Sequence, residues 1–182
     1  MTRAALLAAL LAVACHPSPT WAPPCKTAGA TGPCALSEPW ELPIAVYADL
    51  DGYEVFTADV DAALEQWNAE VGVLLFRRSP SPRSPVRITF GSAVPGTSAA
   101  TRLGRDRFGR RLAVVECRGC VLVGQSADLI GHELGHVLGL AHDPQPGSLM
   151  HAAPPHPMAW VTGNQRRRVQ TADRRALRRR YQ

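Results

Sequence analysis

The residues best suited to chemistry in this 182-residue chain lie between positions 126 and 143, in SADLIGHELGHVLGLAHD. His132, Glu133, His136, Gly139 and His142 there form the pattern His-Glu-x-x-His-x-x-Gly-x-x-His. Positions four apart share one face of an α-helix, so His132 and His136 can ligate one metal ion. Glu133 follows the first of them directly, and its carboxylate can reach a water on that ion without ligating the ion itself. Gly139 can take positive φ, which ends the helix and turns the chain so that His142 approaches as a third ligand. Three neutral imidazoles leave a fourth position open, the arrangement of a catalytic zinc site rather than a closed structural one. An amphipathic core helix with a polar wet face needs no such spacing, and ordinary residue usage yields the full pattern in about one sequence per fifty thousand. The metal reading therefore wins.

The elements that must position these groups are readable from periodicity. Ser126 is a candidate N-cap and Asp128 sits in the first turn, where the helix dipole favours an acid. Residues 121–123 lead into this helix. Upstream, residues 44–48 read as a short strand introduced by Trp40 and Pro43. Thr57 can cap a helix running to Val71, because Val60, Ala63, Leu64, Trp67 and Val71 make one apolar face and Gly72 supplies the stop. Residues 73–76 and 86–90 read as strands separated by a Ser/Pro loop at 79–85. Residues 99–103 read as a short edge strand and 112–116 as a better-formed one. The turn between them carries Arg105, Arg107, Arg110, Arg111 and Asp106, a solvated hairpin tip or a lure for acidic substrates. Asp49-Leu50-Asp51-Gly52 reads as an acidic turn, since no downstream bidentate Glu completes a calcium loop.

The motif resembles the zinc-binding consensus of the metzincin metallopeptidases and is most similar to that of the matrixin branch. Ser148-Leu149-Met150 resembles that family's Met-turn beneath the metal, and residues 169–181 resemble the matrixins' final helix, with Asp173, Leu177 and Tyr181 at matching places. The resemblance implies an α+β fold: a twisted, mostly parallel sheet with an antiparallel edge strand, an active-site helix, a Met-turn at Met150 and a C-terminal helix. It implies one catalytic Zn2+ on His132, His136 and His142, with Glu133 as general base toward the zinc-bound water. It further implies a protein or peptide substrate paired antiparallel to the edge strand, and a specificity pocket lined by residues 152–160, with Met158 and Trp160 available to wall it. This chain departs from the pattern in places. Asp143 stands where most animal matrixins carry serine, which leaves the branch open. Ala152 excludes the tyrosine ligand of the astacin branch. The stretch around Asp106 has no histidine, so accessory zinc and calcium sites are not expected. His151 and His156 could be further ligands, but in a proline-rich loop they read as surface residues.

Composition bounds the rest. An apolar fraction of 46% suits one domain with a real core. Twenty Lys and Arg against fifteen Asp and Glu give a net charge of +5, and residues 166–180 hold eight arginines against Asp173 alone. Ala172, Ala176, Leu177 and Tyr181 still make a helical apolar stripe there. The tail reads as a docked helix with a solvated basic face, or as a contact for anionic lipid or other polyanions. There is no nucleic-acid module and no internal repeat, and a monomer is expected.

The N-terminus reads as an export signal: Arg3, then an apolar run at 4–14 too short to span a bilayer. Ala12-Val13-Ala14 suits ordinary cleavage. Cys15 comes next, so the segment also resembles a bacterial lipoprotein signal with a lipid anchor at Cys15, although Ala12 replaces the usual leucine. Residues 1–14 are thus a signal, 15–39 a Pro-rich tether and 40–182 the catalytic domain, either held at the cell envelope or secreted. Of five cysteines, a lipidated Cys15 leaves Cys25, Cys34, Cys117 and Cys120, an even set with three connectivities. Cys117 and Cys120 read as a structural disulfide, because no second Cys-x-x-Cys and no thioredoxin-like βαβ unit accompany them. Cys34 lacks the pattern that surrounds a latency cysteine. The expected function is an exported zinc-dependent endopeptidase. A non-catalytic zinc-stabilised binding module, or zinc hydrolysis of an ester or cell-wall amide, are the competing readings.

Overall fold

The computed structural model describes residues 20–21, 38–91, 99–117, 126–145, 147–151 and 167–181. The expectations for residues 1–14, Cys15, Cys25, Cys34, Cys120, 121–123 and 152–160, His156 among them, lie outside these. Strands β1 (Thr20–Trp21), β2 (Ile44–Asp49), β3 (Phe76–Arg78), β4 (Val86–Phe90), β5 (Ala99–Arg105) and β6 (Arg111–Cys117) join in one sheet of order β1-β5-β6-β4-β2-β3. Helix α1 (Thr57–Val71) follows β2, α2 (Ser126–Val137) follows β6, and α3 (Thr171–Tyr181) comes last. Strands β3, β2, β4 and β6 are parallel, and β5 runs antiparallel to β6. This is an α+β domain with a mostly parallel sheet that ends in antiparallel pairing.

Alternation decides which face of the sheet is covered. Ile44, Val46 and Ala48 of β2 are buried while Ala45 and Tyr47 between them are only half-buried. Register carries this across the sheet, with Val46 opposite Val86, Ala48 opposite Ile88, and Val86 and Ile88 opposite Ala113 and Val115. These side chains share one core with Val60, Ala63, Leu64, Trp67 and Val71, the α1 face that periodicity predicts. Leu134 and Val137 of α2 and Leu177 of α3 close it. No helix among the described residues is long and apolar enough to cross a membrane.

Three local expectations need correction. Thr57 is the first residue of α1 rather than its cap; a 3-10 turn at Glu54–Phe56 precedes it, and the Thr57 hydroxyl donates to Glu54 O at 2.7 Å. Gly72 does end the helix, at φ +74. The strand expected at 73–76 begins only at Phe76. Asn68 of α1 fixes the chain where the strand starts: its Oδ1 accepts from Leu75 N at 2.8 Å and Phe76 N at 2.9 Å, and its Nδ2 donates to Phe76 O at 2.9 Å. One amide side chain thus holds three backbone groups at the head of β3, the outermost strand of the sheet on that side.

The third correction concerns the edge. The strand expected at 99–103 runs on to Arg105, and β1, from the segment expected as a tether, pairs antiparallel with its Gly104 and Arg105. The hairpin tip shrinks accordingly. Asp106 organises it, accepting from Phe108 N, Arg110 N and Arg110 Nε at 2.8, 3.0 and 2.8 Å. Asn68→Ala removes three partly buried hydrogen bonds and should destabilise the domain by about 2 kcal/mol, read from denaturant midpoints at unchanged slope.

Candidate metal centre

Helix α2 presents His132 and His136 one turn apart, and Gly139 ends it at φ +88. Gly139 N bonds to His136 O and Leu140 N to Gly135 O, each at 3.0 Å, which closes the last turn and brings His142 back to the helix. The three ring centroids are 4.8, 5.1 and 4.8 Å apart, and a nitrogen from each ring lies within 4.8 Å of the others. His136 Nε2 and His142 Nε2 are 3.2 Å apart. Each residue that spacing assigns to the centre, His132, His136 and His142, is therefore brought to one point.

The opposite ring nitrogens say which way the lone pairs face. His132 Nδ1 is 2.8 Å from Leu149 O and His136 Nδ1 is 2.9 Å from Leu140 O. A carbonyl only accepts, so both Nδ1 atoms carry the hydrogen and both Nε2 atoms keep a free lone pair. Burial, reinforced by neighbouring His136, pushes His132 down to about 3. Burial also lowers His136 and His142, with His136 adding to the effect on His142. Neutral imidazoles gathered at one point are the donor set of a cation site, so these three residues could hold a metal ion.

Glu133 is buried beside them, and burial raises its carboxyl from 4.5 to about 7. One hydrogen bond works against that shift. Thr101 of β5 places its hydroxyl 2.6 Å from Glu133 Oε2 and 3.0 Å from Glu133 O.

The floor of the centre is equally specific. Met150 and Leu149 are fully buried. A Cβ on Gly135 would collide with Met150 Sδ and lie 3.0 Å from Trp67 Cζ2, so only glycine lets the helix approach them. Trp67 Nε1 donates to Gly131 O at 2.8 Å and Trp40 Nε1 to Val137 O at 2.7 Å. The turn holding Met150 is braced by the approach to α3: Leu149 N bonds to Arg168 O at 2.8 Å and Arg168 N to Gly147 O at 3.0 Å. Arg167 donates from its backbone to Asp128 at 3.3 Å and from its guanidinium to His151 O at 2.9 Å.

His151 lies with Asp143, whose carbonyl is 3.1 Å from its Nδ1, and it is not among the clustered ligand atoms. Asp143 itself accepts from Gln145 N at 2.8 Å and forms a turn. Cys117, buried at the end of β6, is disulfide-bonded. Thr101, Gly135 and Arg167 are the site residues that sequence reasoning misses. The neighbours that give them a role come from elsewhere in the chain, and no local pattern marks them. A cavity of about 600 Å³ near Trp40, Ile44, Arg77 and Arg111 includes none of the three histidines. Neither protein-family models nor curated proteins yield a match to this chain.

Titration gives a testable consequence for the metal-free protein. The raised carboxyl of Glu133 contributes stability that is fully present below 4.5 and lost as pH rises through about 7. His132 acts oppositely: stability is present above 6.5 and lost as pH falls toward about 3. Glu133→Gln removes only the first effect. Its melting temperature in chelator should exceed that of the parent at pH 8, and the gap should close below pH 4.5.

Proposed function

We propose that this protein is an exported zinc endopeptidase of the metzincin class, nearest to the matrixins. The carrying observation is that three neutral imidazoles converge while the residue after the first of them is a buried carboxylate. His132, His136 and His142 would hold Zn2+, for which an all-imidazole set with an open position is suitable. When bound there, the ion supplies Lewis-acid polarisation of the scissile carbonyl and acidifies a water.

The chain's own residues do the rest. Glu133, buried beside the three imidazoles, takes a proton from the attacking water and returns it to the departing amine. Leu149 O and Leu140 O hold the ring orientations of His132 and His136. Met150, packed on Gly135, supports the helix from below, as the Met-turn does in metzincins. An extended peptide would add to β5 by main-chain hydrogen bonds, beyond the two residues that β1 pairs among the described residues. The apolar leader supports export, with Cys15 as the point of a lipid anchor.

A non-catalytic zinc-stabilised module is the weaker reading. Burying a carboxylate is costly, and such a module gains nothing from Glu133 in that place. The two separate experimentally. Chelator should abolish hydrolysis of a protein substrate and Zn2+ should restore it. Glu133→Ala should lower kcat/KM by about a thousandfold while binding the same one equivalent of Zn2+. Full zinc-dependent proteolysis by Glu133→Ala would overturn the assignment of the base.

A further inference from the structure

We propose that Thr101 is the positioning residue for Glu133, coupling the peptide-binding edge strand to the base. This rests on the peptidase reading for its catalytic consequence, though not for the contact itself. The Thr101 hydroxyl lies 2.6 Å from Glu133 Oε2 and 3.0 Å from the Glu133 carbonyl oxygen. One hydroxyl thus spans the side chain and the backbone of the same residue. A Glu side chain has three rotatable bonds, and buried next to the metal ligands it needs a fixed partner to hold one rotamer. Among the described residues, Thr101 is the one that hydrogen-bonds its side chain. The hydroxyl carries one hydrogen and two lone pairs. It donates to the carboxylate, or accepts from the protonated carboxyl while donating to the carbonyl. Either way the carboxyl keeps a partner as it gains and gives up a proton during a turnover.

The location of Thr101 gives the contact a second role. It lies in β5 opposite Val115 of β6, on the strand whose other side β1 pairs at Gly104 and Arg105 among the described residues. A substrate strand added to that edge fixes the β5 backbone. Thr101 carries that fixed position to the base, so the bound substrate meets a Glu133 already held in one rotamer. Such an interaction matters in the transition state more than in substrate binding, and its loss falls on kcat rather than KM.

Two measurements test this. Thr101→Val keeps the branched shape and strand preference but removes the hydroxyl; Thr101→Ser keeps the hydroxyl. Thr101→Val should lower kcat about tenfold with KM within about twofold of the parent, and Thr101→Ser should recover most of the loss. The second readout needs no turnover. In chelator at pH 8, a melting-temperature cycle over Thr101→Val and Glu133→Ala should be non-additive by about 3 °C, as one hydrogen bond to a carboxylate requires. An additive cycle overturns the proposal, and so does a Thr101→Val enzyme with the parent's kcat. A non-additive cycle in a chain with no chelator-sensitive proteolysis upholds the Thr101–Glu133 contact and removes the peptidase reading instead.

Discussion

A buried imidazole needs both of its nitrogens accounted for, and the centre depends on how this chain meets that demand. Leu149 O and Leu140 O each accept a hydrogen from an Nδ1, of His132 and His136 respectively. Those two bonds turn the Nε2 lone pairs inward, toward His142 Nε2. Without the carbonyls, the rings could flip or exchange tautomers, and burial would have no preferred donor set to present. Neither carbonyl belongs to a regular element. Leu140 follows the glycine that ends α2, and Leu149 lies in the turn beneath it, so the positions of two irregular segments set the chemistry of a helix.

Much of the remaining architecture holds those segments still. Trp67 reaches from α1 to Gly131 O, and Gly135 lets Met150 seat directly under the helix. The arginine-rich C-terminus contributes more than a solvated face. Arg174 pairs with Glu70 at 3.0 Å, Arg178 donates to Val71 O at 3.2 Å, and Arg180 donates to Glu38 O at 3.0 Å. The Arg180 guanidinium also fills the space beside Gly139, where a Cβ would come within 2.7 Å of Nη1. Positive φ thus favours glycine at the bend that delivers His142. Through these contacts α3 and the segment before it brace both the bend after α2 and the turn at Met150.

What was legible in the sequence followed from local periodicity and side-chain chemistry. The helical spacing of His132 and His136, the bend at Gly139, the apolar face of α1 and the alternation in β4 depend on near neighbours, and each appears where those neighbours put it. The failures share a cause in the fold. Asn68 holds the head of β3 with three bonds to residues seven and eight positions away. Thr101 meets Glu133 across 32 positions, and Arg168 meets the Met150 turn by main-chain pairing that no side-chain pattern encodes. Strand β1, two residues in a proline-rich stretch, has too little periodicity to register. Contacts made by single polar side chains or by bare backbone become visible only once the chain is folded.

The peptidase proposed above requires one zinc ion held through the three imidazole nitrogens with a position left open. X-ray absorption at the zinc edge, on protein loaded with one equivalent, tests it most directly. The account predicts three imidazole nitrogens and one light oxygen donor at about 2.0–2.1 Å, with no sulfur in the shell. A shell containing sulfur at about 2.3 Å, or four protein ligands with no exchangeable water, would contradict it.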